Sequence, residues 1–82
     1  MLQGIVVSHI VSTKKQDSLV GSTFMEVRIL ETNAPTDKFL VAVDSVGAGI
    51  GETVLVTLGS SARLALANVN SPVDAVIVGI VD

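Results

Sequence analysis

His9 is the single histidine of the sequence and the first residue to test for chemistry. Triad-type catalysis needs a nucleophile beside the imidazole and an acid that orients it. No local signature around His9 supplies either, and His9 is expected to be a packed, hydrogen-bonded residue rather than a base or a ligand. A structural zinc centre takes four Cys or His ligands. With one His and no Cys, the chain makes neither such a centre nor a disulfide. The eight acidic residues are scattered. Asp44 and Glu52 alone flank a common loop, and as a general acid/base pair they are weak. These residues point to no catalytic, metal or cofactor site, and so to a chain that is not an enzyme.

The most conspicuous local pattern is Gly47-Ala48-Gly49-Ile50-Gly51-Glu52. Gly-rich loops cradle phosphate when they follow a strand and open a helix. Here the loop leads into another strand, and no Lys or Ser/Thr follows at P-loop spacing. Its glycines instead suit a tight connection with positive φ angles and close backbone approach. Arg63 is placed in the first turn of a short helix, where the dipole disfavours a cation. It therefore calls for an acidic partner, with Glu52, Asp44 and Asp74 as candidates within the chain or across an interface. Lys14-Lys15 reads as a solvated loop tip.

The elements that position these residues are mostly strands. Leu2 to Thr13 reads as the first, followed by a polar loop from Lys14 to Gly21. Ser22 to Glu31 is the second strand, and Asn33-Ala34-Pro35-Thr36-Asp37 is a turn. Lys38 to Asp44, Thr53 to Leu58 and Ala75 to Val81 complete a set of five. One helix interrupts them: Ser60 or Ser61 caps it, Ala62 to Ala67 form it, and Asn68 and Pro72 end it. Two turns cannot stand alone, so Leu64 or Leu66 must pack on the sheet. Five strands with Gly-rich corners make an all-β domain, a small closed barrel or a sandwich.

At 82 residues the chain forms one domain, spanning 1–82, whose core is marginal without disulfides, a metal or association. Hydrophobic residues reach 49% while aromatics are only 2%, so the apolar content is aliphatic and suits strands. A net charge of -3 with two Phe and no Trp or Tyr argues against nucleic acid, which calls for a basic face and stacking rings. No apolar run approaches the length of a membrane span, and the N-terminus lacks the pattern of a signal peptide. A cytoplasmic protein is expected. The strands are apolar on two faces. Leu2, Val6 and Ile10 oppose Ile5, Val7, His9 and Val11. Val76, Val78 and Ile80 oppose Ala75, Ile77 and Val81. A small barrel has one interior, so the second face calls for a neighbouring subunit.

The segment Val41-Ala42-Val43-Asp44-Ser45-Val46-Gly47-Ala48-Gly49-Ile50-Gly51-Glu52 resembles the EutN/CcmL family of bacterial microcompartment vertex proteins. Gly59-Ser60-Ser61-Ala62-Arg63 does so too, as does the ending from Pro72-Val73-Asp74-Ala75 through Gly79-Ile80-Val81-Asp82. Gly4, Val6, Val11, Thr13, Lys14, Leu19 and Gly21 agree at the opening. Ser8 and Thr53 depart from the family's more usual Gly and Trp. The resemblance implies an OB-like five-stranded β-barrel with one short helix. It implies a cyclic homopentamer that caps shell vertices beside hexameric shell proteins, with no cofactor, nucleic acid or membrane partner. It also gives a lean toward catabolic compartments over carboxysomes. Gly47, Ala48, Gly49, Gly51, Glu52, Ser60, Ser61, Arg63 and His9 are the candidate interface or structural-motif residues. The alternative is an OB-type binding module for a small ligand or nucleic acid.

Overall fold

The computed structural model describes residues 1–67 and 72–82. The strands are β1 (Leu2–Ile10), β2 (Phe24–Glu31), β3 (Ala34–Asp44), β4 (Thr53–Leu58) and β5 (Ala75–Val81), with the helix α1 (Ser60–Ala65) between β4 and β5. A single 3-10 turn, Asp17–Leu19, lies in the connection from β1 to β2. The strands close into a barrel in the order β1-β2-β3-β5-β4. Closure removes the free edges that an open sheet of aliphatic strands would present. All neighbours run antiparallel except β3 and β5, which meet in a short parallel contact at Val43–Val76 and Asp44–Ile77. The structure thus selects the barrel over the sandwich.

The barrel interior is filled by Val6, Met25, Val27, Ala42, Ala48, Val54, Val56, Ala75 and Ile77, with Leu2, Leu40 and Ile80 packed against them. Small and medium aliphatics suit this interior, because a five-stranded barrel leaves little room between opposite walls. A second cluster lies outside the barrel wall. There Val43, Ala62, Val73 and Val76 are buried together with Leu19, Phe24, Leu66 and Val78. α1 therefore covers part of the outer surface, and Leu66 packs there while Leu64 stays 66% exposed.

Two bulges change the faces expected from simple alternation. In β1, Val7 is an extra residue between the pairs Val6–Val27 and Ser8–Glu26. Past it, His9 is in register with the interior residue Met25, and Ile10 with Phe24 on the outer face. The expected grouping of Ile10 with Leu2 and Val6, and of His9 with Ile5, is thus reversed. In β5, Val78 is the extra residue between Leu55–Gly79 and Val56–Ile77. Ile80 then joins Ala75 and Ile77 at the interior rather than sharing a face with Val76. A bulge inserts one residue into one strand of a pair, so each side chain beyond it changes face.

The β2–β3 turn also differs from expectation. Glu31 pairs with Ala34, leaving Thr32 and Asn33 as a two-residue loop with φ of 51° and 62°. Positive φ at both central residues is the geometry of a type I′ hairpin. Pro35 lies within β3, opposite Leu30, at a point where β5 does not pair with β3. A proline without an N–H is tolerated on such an unpaired side. Thr36 Oγ1 donates to the Ile29 carbonyl at 2.7 Å where the β2–β3 register shifts.

Candidate assembly surface

The Gly-rich loop is held by its own two acids. Val46 and Gly47 N–H donate to Asp44 Oδ1 at 3.0 and 3.1 Å, and Ala48 N–H donates to Oδ2 at 2.9 Å. Gly49 N–H donates to Glu52 Oε1 at 2.6 Å. A phosphate cradle needs converging amides that are free. Here three of them already converge on a carboxylate, so the phosphate reading and the acid/base reading of Asp44 and Glu52 both lose their groups. Gly47 and Gly51 have φ of 79° and 89°, which a side chain rarely adopts. Gly51 N–H donates to Val6 O at 2.8 Å, and Val6 N–H donates to Glu52 O at 3.1 Å, fixing the loop to β1. Ala48 is buried in the barrel core, so the loop plugs one end of the barrel. Asp44→Ala is expected to cost about 1–3 kcal/mol by orphaning these amides. Thermal melting, with faster hydrogen exchange at residues 46–48, is the check.

The start of α1 departs from the expected cap. Gly59 is the N-cap, at φ 65° and ψ -140°, and neither Ser60 nor Ser61 caps with its side chain. Both serines are exposed. Gly59 N–H donates to Asp74 O at 2.8 Å, which ties the helix start to the β5 entry. The helix begins two residues earlier than expected and is six residues long, so Arg63 falls in its last turn, where the dipole favours a cation. Arg63 Nη1 donates to Val73 O at 3.3 Å. Among the described residues it forms no ion pair with Glu52, Asp44 or Asp74; the ion pair there is Lys38–Glu31 at 3.3 Å. The expected helix end at Asn68 lies outside the described residues.

His9 is exposed, and its ring makes no hydrogen bond among the described residues, contrary to the packed, hydrogen-bonded reading. It lines an open cleft of about 270 Å³ with Ile10, Val11, Lys15 and Phe24. No group of three or more His, Cys, Asp or Glu among the described residues could hold a metal ion. No helix there is long and apolar enough to cross a membrane. The candidate residues therefore fall into separate places. Gly47, Ala48, Gly49, Gly51 and Glu52 share one loop at a barrel end, Ser60, Ser61 and Arg63 sit on α1, and His9 borders the cleft.

A surface that motif reading missed lies on the outer wall of β1, β2 and β3. Registers place Ile5, Arg28 and Phe39 in one row across the three strands, and Ser8, Glu26 and Val41 in the next. Phe39 is 45% and Val41 51% exposed. Ser8 Oγ donates to Glu26 Oε1 at 3.3 Å. The Arg28 guanidinium carbon lies 4.9 Å from the Phe39 ring centroid, a cation–π contact. α1 packs on β4 and β5 and reaches the Phe24–Val43 pair at one end of this wall, leaving Phe39 and Val41 exposed. The period-2 alternation of β2 and β3 held the signal: their outward positions keep Phe39 and Val41 where a solvated wall would carry polar residues.

The family described as ethanolamine utilisation protein EutN/carboxysome matches residues 1–82. The microcompartment shell vertex protein GrpN of Rhodospirillum rubrum is 46% identical over 83 residues, covering 100% of this chain and 93% of that protein. The carboxysome shell vertex protein CcmL of Synechocystis is 44% identical over 78 residues, covering 94% of this chain and 78% of that protein. Identity does not separate carboxysome relatives from those of other compartments. The solved structure of GrpN, a pentameric microcompartment shell protein, superposes with a TM-score of 0.90 at 44% identity, covering 100% of this chain and 94% of that one. A closed five-stranded barrel and similarity along the whole length agree: the chain belongs to the EutN/CcmL family.

Proposed function

We propose that this chain is a structural subunit, five copies of which close into a ring that caps a vertex of a bacterial microcompartment shell. The observation that carries the reading is whole-length similarity to shell vertex proteins, one of them a solved pentamer. The fold supports it. The barrel is filled with side chains, and its Gly-rich loop is satisfied internally, so neither presents a site for chemistry. A five-fold ring uses two different faces of each subunit. At about 800 Å² per face for a standard interface, roughly a third of the 4933 Å² surface would be covered. An 82-residue chain with an apolar outer wall gains stability from such cover that its own core supplies only in part.

The function is geometric. Hexagonal tiles alone make flat sheets, and a closed polyhedron needs five-fold positions. The partners are then further copies of this chain and hexamer-forming shell proteins, and the location is the compartment shell within the bacterial cytoplasm. An OB-type module for nucleic acid would need a basic, aromatic surface, and this chain has a net charge of -3 and two Phe. Mixing the purified chain with hexameric shell proteins tests the role by electron microscopy. Closed polyhedral particles are expected with the chain, and open sheets or tubes without it. Unchanged sheets in both samples would contradict the vertex role.

A further inference from the structure

The cleft beside His9 runs against the charge of the chain as a whole. It has a volume of about 270 Å³, its polar lining is His9, Ser12, Lys15, Ser22 and Thr23, and no acid is among the lining residues. The chain carries eight acids against five Lys and Arg, so a cleft lined by a lysine and its single histidine is a local reversal. Ile10 and Phe24, register partners on β1 and β2, form part of the apolar lining. Apolar surface beside polar groups lowers the local dielectric and strengthens their electrostatic contacts.

Hydrogen bonds fix the frame of the cleft. Lys15 Nζ donates to Ser12 O at 2.7 Å, and Ser12 Oγ donates to Lys14 O at 2.8 Å. Ser22 N–H donates to Leu19 O at 3.1 Å, and Asp44 N–H donates to Thr23 O at 2.9 Å. The polar ends of the side chains are largely unspent. An ammonium has three N–H donors, and Lys15 uses one of them. The His9 ring and the hydroxyls of Ser22 and Thr23 form no hydrogen bond among the described residues. The acids nearest in register and chain are engaged or turned elsewhere. Glu26 accepts from Ser8, Asp44 accepts from loop amides, and Asp17 does not line the cleft.

We infer that this cleft binds a small oxyanion of the phosphate class. Lys15 supplies the fixed charge, as lysine does at phosphate sites. His9 donates from its ring, and Ser22 and Thr23 donate from their hydroxyls. Two of these donors come from the β1 side and two from the β2 side. Such a set suits the tetrahedral oxygens of a phosphate better than the planar pair of a carboxylate. The volume lies below the roughly 300–1,000 Å³ of pockets that hold drug-sized ligands, in keeping with a small group. Every residue belongs to one copy, so the inference goes beyond the ring proposed above and does not depend on it.

His9 is the single histidine, so its ring Cε1–H gives one nuclear magnetic resonance signal that reads the cleft directly. The full chain is titrated at fixed pH with inorganic phosphate, with acetate, and with sodium chloride at matched ionic strength. Phosphate should move the signal along a saturating curve, acetate should saturate at higher concentration, and chloride should move it little. Lys15→Met should raise the phosphate midpoint by about tenfold or more, as loss of a hydrogen bond to a charged group does. Lys38→Met removes the same charge from the β2–β3 hairpin, and should leave the midpoint within about twofold, the small effect of a distant exposed charge. A shift that does not saturate and is matched by chloride is screening of surface charge alone, and overturns the inference. An unchanged midpoint for Lys15→Met, or equal rises for the two lysine variants, also overturns it. Acetate bound as tightly as phosphate overturns the phosphate assignment. The mass of the assembly is a separate reading, so failure of the ring and failure of this site are told apart.

Discussion

Ile77→Ala is expected to lower stability by about 2–5 kcal/mol, the cost of deleting a buried branched side chain and leaving a cavity. Ile77 is 0% exposed and sits where β5 meets both β3 and β4. Its side chain packs with Val56, its register partner, inside the barrel. Its main chain also closes the ring of strands: the Ile77 carbonyl accepts from Ser45 Oγ at 2.6 Å and Ser45 N–H at 3.3 Å. The parallel β3–β5 contact is short, so relaxation around a cavity there would loosen the seam of the barrel. Domains of this size have only some 5–15 kcal/mol in total. A melting temperature lowered by more than about 10 °C is the expected reading. A shift of a few degrees would show that the seam does not depend on this side chain.

The second large effect is expected at Gly4. It pairs with Ile29 on β2 and Val54 on β4. A Cβ built there would collide with Val27 Cγ1 and lie 2.8 Å from the Arg28 carbonyl oxygen. Val27 is 1% exposed and has no room to retreat, and the carbonyl belongs to the β2 backbone. Gly4→Val therefore introduces a favoured strand residue and still destabilises, by at least the ~1–3 kcal/mol typical of overpacking. Gly79 is the internal control. A Cβ there meets Leu55 Cδ1 at 3.5 Å, an ordinary contact. Gly79→Ala should fall within about 0.5 kcal/mol of the parent, as surface substitutions usually do. Urea unfolding of the two variants separates close packing from any general cost of replacing strand glycines.

The readability of this fold in its sequence divides along physical lines. The bounds of β4 and β5 were legible because Glu52, Gly59, Asp74 and Asp82 bracket runs made mostly of aliphatic and β-branched residues. The bulges at Val7 and Val78 were not. An extra residue changes the facing of everything beyond it, and a valine inserted next to Val6 or Ile77 leaves no compositional mark. That is why His9, Ile10 and Ile80 sit on faces opposite to the expected ones. The Pro35 signal was read as a turn because proline and its polar neighbours cluster there. The chain instead turns at Thr32-Asn33 and carries Pro35 along an unpaired strand side.

The candidate site shows the same division. Asp44 and Glu52 were visible as flanking acids, but only the loop conformation reveals three amides turned onto one carboxylate. Arg63 was expected in the first turn because its position was counted from a helix start two residues too late; in the last turn the dipole favours a cation, and within the chain it donates to the Val73 carbonyl rather than to an acid. The two-faced strands were a sound signal whose resolution needed coordinates. Part of the second face, at Val43 and Val76, is covered by α1 and the segment before β5. The part that stays open lies on β1, β2 and β3, where no single motif marks it.

The number of copies in the assembly tests the central claim most directly. The mass of the purified chain, measured by size-exclusion chromatography with light scattering, should equal five times its 8.4 kDa. A stable monomer, or a closed ring of any other number, would contradict the vertex account.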